Sequence, residues 1–177
     1  SLTNLVTNVG VVGSDVSGVG TAKHGLAGAS YGGDKAIMGF GETINEVNLI
    51  NNLGVVGTDV TGVGTSRADL AAAGYGGDKA IFGYGNTGSA VSMTNLVSNS
   101  GVVASDVSGV GTVRKSLAAA GYGGDKAIFG YGAVYTGSWT RYSLTNLVSS
   151  SGVVATDVTG VGTGRSTLAA AGYSLSA

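Results

Sequence analysis

Two short phrases decide the fold: GYGGDKAIFGYG at residues 121–132 and GVVASDVSGVGT at residues 101–112. Close copies of the first phrase place Asp34 and Asp78 in register with Asp125, and copies of the second begin at Gly10, Gly54, Gly101 and Gly152. The second phrase therefore returns after 44, 47 and 51 residues. Self-similarity at such a period indicates a repeat architecture, in which each unit buries its faces against its neighbours.

All variation in repeat length falls in one connection. Each of the first three GVV glycines lies 24 residues before the aspartate of the other phrase, whereas that aspartate lies 20, 23 or 27 residues before the next GVV glycine. A constant unit with one tolerant loop is typical of a repeat scaffold. We expect one domain over residues 1–177, with repeats at approximately 1–47, 48–91, 92–142 and 143–177.

One repeat length, from residue 117 to residue 155, predicts four short strands. Residues 127–131 lie between turn-forming residues, and residues 145–148 and 153–155 form a hairpin with a four-residue loop. The alanines of residues 117–122 would suit a helix, but six residues between glycine-rich turns are too few for one. We predict a strand there, in a place where crowded neighbours exclude larger side chains.

Four strands in 44 to 51 residues match the size of a β-propeller blade. The sequence therefore predicts an all-β fold, a β-propeller of about four four-stranded blades with the first and last incomplete. DKAIFGYG or its close copy occurs three times and the GVV phrase four times. We expect the segment from Ser1 to pair beside the one that ends near Tyr173, which closes one blade. Residues 174–177 then replace the missing strand, or an open blade edge recruits another chain.

A family resemblance lies in RKSLAAAGYGGDKAIFGYG, residues 114–132, which resembles part of a Kelch repeat. Arg67 and Arg165 occupy the place of Arg114, and Lys23 takes it in the first repeat. The sequence departs from Kelch repeats in having an aromatic residue between its two glycines and in lacking the spaced Tyr and Trp. Two phrases, GYGGDKAIFGYG and TNLVSNSGVVASDVSGVGT, also resemble glycine- and alanine-rich repeats of bacteriophage tail and other virion proteins. That resemblance implies a structural or host-recognition role, in a virion or outside the cell.

Composition argues against several classes of function. Charged residues make up 11% of the chain and its net charge is −1, which argues against binding to nucleic acid. The chain has no 18-residue apolar run, so we expect no membrane insertion. It has no cysteine, which excludes disulfides and thiolate metal sites. Residues 83–88 match GxGxxG, but a strand-like segment follows them where a dinucleotide site needs a helix, so we expect no cofactor.

We predict no catalytic or metal site. His24 is the only histidine and is interpreted as a surface substitution, although a Ser–His–Asp triad with Asp15 or Asp34 is formally possible. The repeated aspartates could ligate calcium, but one carboxylate in each repeat favours a turn that caps backbone amides. In that interpretation each aspartate pairs with the basic residue eight positions on. The aspartates are Asp15, Asp59, Asp106 and Asp157, and the basic residues are Lys23, Arg67, Arg114 and Arg165.

The variable connections are the predicted place of function. The third, residues 133–142, holds the single tryptophan, and we assign ligand binding to Tyr135, Trp139, Arg141 and Tyr142. Exposed aromatic rings beside polar groups suit a sugar face or a protein interface. Alternatively, Trp139 covers a blade end or a neighbouring subunit. We expect a non-enzymatic structural and adhesive module that binds a surface glycan or another virion protein. The alternative is a soluble lectin with one weak site per repeat.

Overall fold

The computed structural model describes residues 2–172 and contains strands and turns but no helix in that range. The strands are β1 (Leu2–Thr3), β2 (Val16–Ser17), β3 (Ala27–Tyr31), β4 (Lys35–Gly39), β5 (Val47–Ile50), β6 (Ala71–Tyr75), β7 (Lys79–Asn86), β8 (Ala90–Val97), β9 (Ala118–Tyr122), β10 (Lys126–Gly130), β11 (Ala133–Tyr135), β12 (Trp139–Arg141) and β13 (Thr145–Val148). The predicted all-β class is confirmed.

Three antiparallel sheets repeat one plan. The first sheet is β3-β4-β5, the second β6-β7-β8 and the third β9-β10-β13, while β1-β2 and β11-β12 are two-stranded. The strands predicted at residues 117–122, 127–131 and 145–148 are present as β9, β10 and β13. Each three-stranded sheet takes its third strand from the beginning of the next sequence repeat. The sheets are therefore offset along the chain from the repeat boundaries drawn from the sequence.

A fourth segment borders each sheet through two isolated bridges instead of a regular strand. In the third sheet these bridges are Val148–Val154 and Thr145–Val158. The fourth segment carries one more residue between the two bridges than β13 does, which is a β-bulge. The second and first sheets repeat the pattern through Val97–Val103 with Thr94–Val107, and Ile50–Val56 with Val47–Val60. The strand predicted at residues 153–155, which forms the hairpin with residues 145–148, is therefore present as a bulged segment.

The sheets stack face to face, and the second sheet is buried on both faces. Phe82 faces the first sheet, where its ring meets Phe40 with centroids 5.0 Å apart. Ile81, its neighbour in β7, belongs to the core shared with the third sheet, where Tyr84 meets Phe129 at 5.2 Å. Successive residues of a strand point to opposite faces, so β7 supplies both cores.

β3, β6 and β9, the first strands of the three sheets, lie close together because their residues are small. A Cβ added at Gly74 would lie 3.5 Å from the carbonyl oxygen of Ser30, and one at Gly121 would lie 3.4 Å from that of Gly74. Backbone hydrogen bonds also join successive units, from Gly32 N to Asp78 O and from Gly76 N to Asp125 O, both 2.7 Å. The crowding predicted for the alanine-rich strand is confirmed.

The stack does not close into a ring within the described residues. β1 pairs with β2, and no strand pairing or backbone hydrogen bond in residues 2–172 joins this hairpin to residues 163–172. Tyr173 and the segment 174–177, to which we assigned blade closure, lie outside the described residues. The structure therefore shows stacked sheets with bulged fourth segments, and a closed propeller is not shown.

Candidate functional site

The variable connection of the third unit forms a hairpin that leaves the end of the sheet. β11 and β12 pair through Ala133–Arg141, Val134–Thr140 and Tyr135–Trp139. A tight turn joins the strands, in which Thr136 N donates to Ser138 O at 3.2 Å and Gly137 has a φ of +91°. Lys115 extends this small sheet through an antiparallel bridge to Ala133. The hairpin is thus hydrogen-bonded on both sides of β11.

One face of this hairpin carries an exposed aromatic pair. The rings of Tyr135 and Trp139 lie directly across from each other, with centroids 5.3 Å apart and planes inclined by 56°. Tyr135 remains 59% exposed and Trp139 50% exposed. Such cross-strand pairing stabilises a hairpin, and it leaves the outer surfaces of both rings free in the described structure.

Two cations share the face with the aromatic pair. Lys115 Nζ lies 5.6 Å from the centre of the Trp139 ring and 3.6 Å from Asp69 Oδ2. Arg141 is exposed and lies on the same face as Trp139, since side chains two residues apart in a strand point the same way. We call the set Lys115, Tyr135, Trp139 and Arg141 the hairpin face.

Tyr142 does not join the hairpin face. It follows Arg141, so its side chain leaves the strand on the opposite side, and the residue is half-buried. Its backbone N–H donates to Gly132 O at 2.9 Å. The structure therefore brings together three of the four residues that we predicted, adds Lys115, and assigns Tyr142 to the base of the hairpin.

The other two variable connections lie at the same end of their sheets but carry no exposed aromatic pair. In the second unit β7 and β8 continue past the sheet into a hairpin, and Thr87 N donates to Ser89 O at 3.0 Å. In the first unit His24 Nε2 lies 2.6 Å from Glu42 Oε2, and both side chains are exposed. The imidazole of the only histidine thus contacts Glu42 and not Asp15 or Asp34. The GxGxxG match at residues 83–88 falls in the β7–β8 hairpin.

Three of the repeated aspartates, Asp59, Asp106 and Asp157, accept a backbone N–H, but this donor comes from the preceding sequence repeat and not from the aspartate's own turn. Asp106 Oδ2 accepts hydrogen bonds from the N–H and the hydroxyl of Thr65, at 3.0 and 2.7 Å, and Asp106 Oδ1 accepts one from Asn95 at 2.9 Å. Arg67 NH2 donates to Asn95 Oδ1 at 2.6 Å, and its NH1 lies 3.8 Å from Asp106 Oδ1. Arg67 and Asn95 are buried, whereas Thr65 and Asp106 lie at the surface. We call this group, Thr65, Arg67, Asn95 and Asp106, the polar cluster of the second unit.

The predicted pairing of each aspartate with the basic residue eight positions on is wrong. Asp59 pairs with Lys23 at 2.8 Å, Asp106 with Arg67 and Asp157 with Arg114 at 3.6 Å. The basic residue lies in the segment just before the first strand of a sheet, which is β3, β6 or β9. The aspartate lies in the fourth segment of the same sheet, which belongs to the next repeat of the sequence. The β-bulge turns that aspartate towards the asparagine of the third strand. The sequence did not predict this part for the asparagines, although they recur at one place, in VNLI or TNLV: Asn48, Asn95 and Asn146.

The polar clusters shift the acidity of their charged groups. Hydrogen bonds from Lys23 and then Thr21 hold the pKa of Asp59 far below its usual range. Burial alone would raise the pKa of Asp106, but the hydrogen bonds from Thr65 and Asn95 and the charge of Arg67 outweigh it and lower the pKa. Burial lowers the pKa of Arg67 to about 10, so the guanidinium remains charged at neutral pH. The guanidinium of Arg67 is buried, whereas the carboxylates of Asp59 and Asp106 remain partly open to solvent.

A repeated groove lies along the β3–β4, β6–β7 and β9–β10 turns. It has a volume of about 430 Å³. Each of the three units contributes a tyrosine and at least one glycine, and Lys79 and Lys126 lie beside them. Tyr31 and Tyr75 are buried in its wall, at 4% and 5% exposure. Lys79 and Lys126 each pair with the preceding aspartate, at 3.0 and 3.2 Å, as expected for solvated turns. Sequence analysis missed this groove, for which the repeated GYGGDK phrase was the available signal.

The described residues contain neither a group of metal ligands nor a membrane-spanning helix. Within residues 2–172 no three side chains of His, Cys, Asp or Glu come together in a group that could hold a metal ion. The same part of the chain contains no helix of the length and apolar character needed to cross a membrane. In comparison with known proteins, neither a protein-family model nor a curated protein matches the chain.

Proposed function

We propose that the chain is a non-enzymatic structural and adhesive module, whose stacked sheets present the hairpin face for binding to a surface glycan or to another protein. The exposed Tyr135–Trp139 pair carries this proposal. About half of each side chain is open to solvent although both residues are large and apolar. Exposed aromatic residues of this size are typical anchors of binding surfaces.

The position of the hairpin face supports the proposal. It lies on the one connection whose length varies between units, so changes there leave the buried cores and polar clusters in place. Binding residues on a loop held by a rigid scaffold are a common arrangement. Arg141 adds positive charge beside the rings, which suits a ligand that combines an apolar face with an acidic group. The charge of Lys115 is partly balanced by Asp69.

Location in a virion, or outside the cell, is part of the same proposal. It rests on the resemblance of the GYGGDKAIFGYG and TNLVSNSGVVASDVSGVGT phrases to repeats of phage virion proteins. A stack of near-identical sheets, each joined to the next by a buried core and backbone hydrogen bonds, would serve as a rigid spacer in such an assembly. In this proposal nucleic acid and membrane are not partners.

The second candidate is a lectin with one weak site per repeat, and the repeated groove favours it. Each of the three units contributes its tyrosine and the glycine two positions later to that groove. Its weakness is the burial of Tyr31 and Tyr75, whose ring faces pack into the cores and cannot stack on a sugar.

Binding of the purified chain to a panel of neutral and acidic glycans tests the proposal. Trp139→Ala should abolish the binding, while Lys79→Ala, in the repeated groove, should leave it unchanged. The reverse result would assign binding to the repeated groove and support the lectin. Pull-down with the same three proteins tests the protein-binding form of the proposal, in which Trp139→Ala again removes the interaction.

A further inference from the structure

The N-terminal hairpin carries half of a polar cluster. Asn4 Nδ2 donates to Gly13 O at 3.1 Å and to Asp15 Oδ1 at 2.9 Å. Asn95 makes the same two bonds in the second unit, to Ala104 O at 3.0 Å and Asp106 Oδ1 at 2.9 Å. Within residues 2–172, no threonine or basic side chain reaches Asp15 or the amide oxygen of Asn4. The acceptors of this half-cluster are therefore formed and exposed.

The complementary half lies in residues 163–165. Arg165 stacks on the Tyr131 ring, its guanidinium carbon 4.7 Å from the ring centre. Arg114 stacks on Tyr84 in the same way at 4.4 Å. Arg165 Nε donates to Thr163 O at 3.3 Å, and in the described residues its guanidinium meets no asparagine or aspartate side chain. The donors of this half are thus held near the place that they occupy in a complete cluster.

Apolar surfaces accompany both halves. In the interior of the stack, the leucine of each TNLV-type strand covers the first glycine of the next GVV phrase: Leu5 covers Gly54, Leu49 covers Gly101 and Leu96 covers Gly152. One leucine and one glycine of this series, Leu147 and Gly10, have no such partner in the described residues. Leu147 is 39% exposed, and a Cβ added at Gly10 would meet nothing within 4 Å. Val11 and Val12 beside Gly10, and Val158 and Val161 near Leu147, are also exposed.

We propose that these two surfaces bind each other between copies of the chain, so that residues 2–17 of one copy lie on the surface of Leu147, Thr163 and Arg165 of the next. Thr163 donates its N–H and hydroxyl to the carboxylate of Asp15. Arg165 donates to the amide oxygen of Asn4 and pairs with Asp15. Leu147 covers Gly10. Each contact reproduces one made in the interior of the stack, where the polar contacts lie within one unit and the leucine–glycine contact joins two units. The association is head-to-tail.

The proposed junction is weaker than an interior one. The composite sheet would contain residues 168–172 of one copy and the hairpin 2–17 of the other, without a counterpart of β7 in the described residues. It therefore buries less apolar surface than the sheets of the stack. Since Asp15 and Arg165 are exposed before association, we expect binding to weaken as the salt concentration rises.

Sedimentation velocity over a range of protein concentrations tests the proposal with exchanged charges. The chain should form dimers and longer species as its concentration rises. Asp15→Arg should remain monomeric because the introduced guanidinium would face Arg165, and Arg165→Asp should remain monomeric because two carboxylates would face each other. An equimolar mixture of the two variants should associate again, since every junction between a copy of one variant and a copy of the other then pairs an arginine with an aspartate.

Two results would overturn the proposal. Association of both single variants as strong as that of the parent chain would place the contact elsewhere. A parent chain that stays monomeric at all concentrations, while either variant lowers its melting temperature, would show that the two halves meet within one chain and close a ring. Circular dichroism of each variant provides the control for folding, and both substituted positions are exposed.

Discussion

The guanidinium carbon of Arg67 lies 4.4 Å from the centre of the Phe40 ring, and Phe40 belongs to the preceding unit of the stack. The same side chain donates to Tyr84 O at 2.9 Å and to Asn95 Oδ1 at 2.6 Å, both in its own unit. One buried cation therefore joins two neighbouring sheets. Arg114 repeats the arrangement between Tyr84 and Asn146 in the next pair of sheets.

Replacing Arg67 with alanine should lower the free energy of unfolding by about 3–5 kcal/mol, because it empties a fully buried site and leaves Tyr84 O and Asn95 Oδ1 without their donor. Arg165→Ala is the matched control, since Arg165 has the same place in the sequence repeat but is exposed. Its effect on a dilute monomer should be below about 1 kcal/mol. Chemical denaturation measures both, and equal losses for the two variants would contradict the assigned role of Arg67.

The lowered pKa values of Asp59, Asp106 and Asp157 predict loss of stability in acid. Because each pKa is lower in the folded chain than its ordinary value of 3.8, the unfolded chain binds more protons as the pH falls. The stabilisation is thus fully present above about pH 5 and declines as the pH passes below the ordinary carboxyl pKa.

Asp106→Asn isolates one of these groups. At pH 7 the variant should unfold at lower denaturant concentration than the parent chain, because it lacks the charged acceptor for Thr65 and the partner of Arg67. The difference in free energy of unfolding should narrow as the pH falls from about 5 through the lowered pKa of the folded chain, because Asp106 of the unfolded parent chain takes up its proton first. A difference that stays constant over this range would show that the charge of Asp106 does not contribute.

Ile81→Asp should unfold the chain or cost about 4 kcal/mol, because Ile81 is fully buried between the second and third sheets. Ile128 has the same place in the third unit but is half-buried, since no complete sheet covers that face in the described part of the chain. The cost of Ile128→Asp should therefore be clearly smaller. Thermal melting compares the two, and a greater loss for Ile128→Asp would contradict the stacking order.

Two glycines with similar backbone conformations test the packing of the polar cluster. Gly64 has a φ of +97° and Gly77 one of +79°. A Cβ at Gly64 would lie 2.5 Å from Asp106 Oδ1 and 2.7 Å from Asn95 Nδ2, whereas one at Gly77 would meet nothing within 4 Å. Gly77→Ala should cost about 1 kcal/mol for the backbone strain alone. Gly64→Ala should cost at least about 2 kcal/mol more, and equal melting temperatures would contradict the cluster geometry.

Much of the fold could be predicted from the sequence because its repeats are nearly identical. The strands around Gly123 and Gly124 were predictable from turn residues and from the limited length of the alanine-rich segment. The partner of Asp106 was not, because an ion pair with Arg67 joins residues 39 positions apart. Arg67 and Asp106 meet because the segment before β6 runs along the β6-β7-β8 sheet. No local pattern in the sequence indicates that path.

The sequence predicted the part of the candidate site that lies within one connection, and it did not predict the residue that comes from elsewhere in the chain. Trp139 and Tyr135 stand out in one variable connection, and their pairing follows from a tight hairpin turn between them. Tyr142 adjoins that connection in sequence, but strand alternation turns its side chain away. Lys115 comes from a segment 24 residues before Trp139, and it reaches the ring only because its backbone pairs with Ala133.

Trp139→Ala should change the melting temperature little, because the ring packs on Tyr135 and Lys115 at the surface and not on either core. We expect a loss below about 1 kcal/mol in the free energy of unfolding. A loss of several kcal/mol would instead assign Trp139 to packing, as in the alternative raised by the sequence.

The most direct test of the hairpin face uses the fluorescence of Trp139, which is the only tryptophan of the chain. Titration with the glycan or protein that binds best should shift or quench this emission, and the change should saturate at the same concentration as binding measured by calorimetry. Binding that leaves the Trp139 emission unchanged would contradict the account, as would a folded chain that binds neither glycan nor protein.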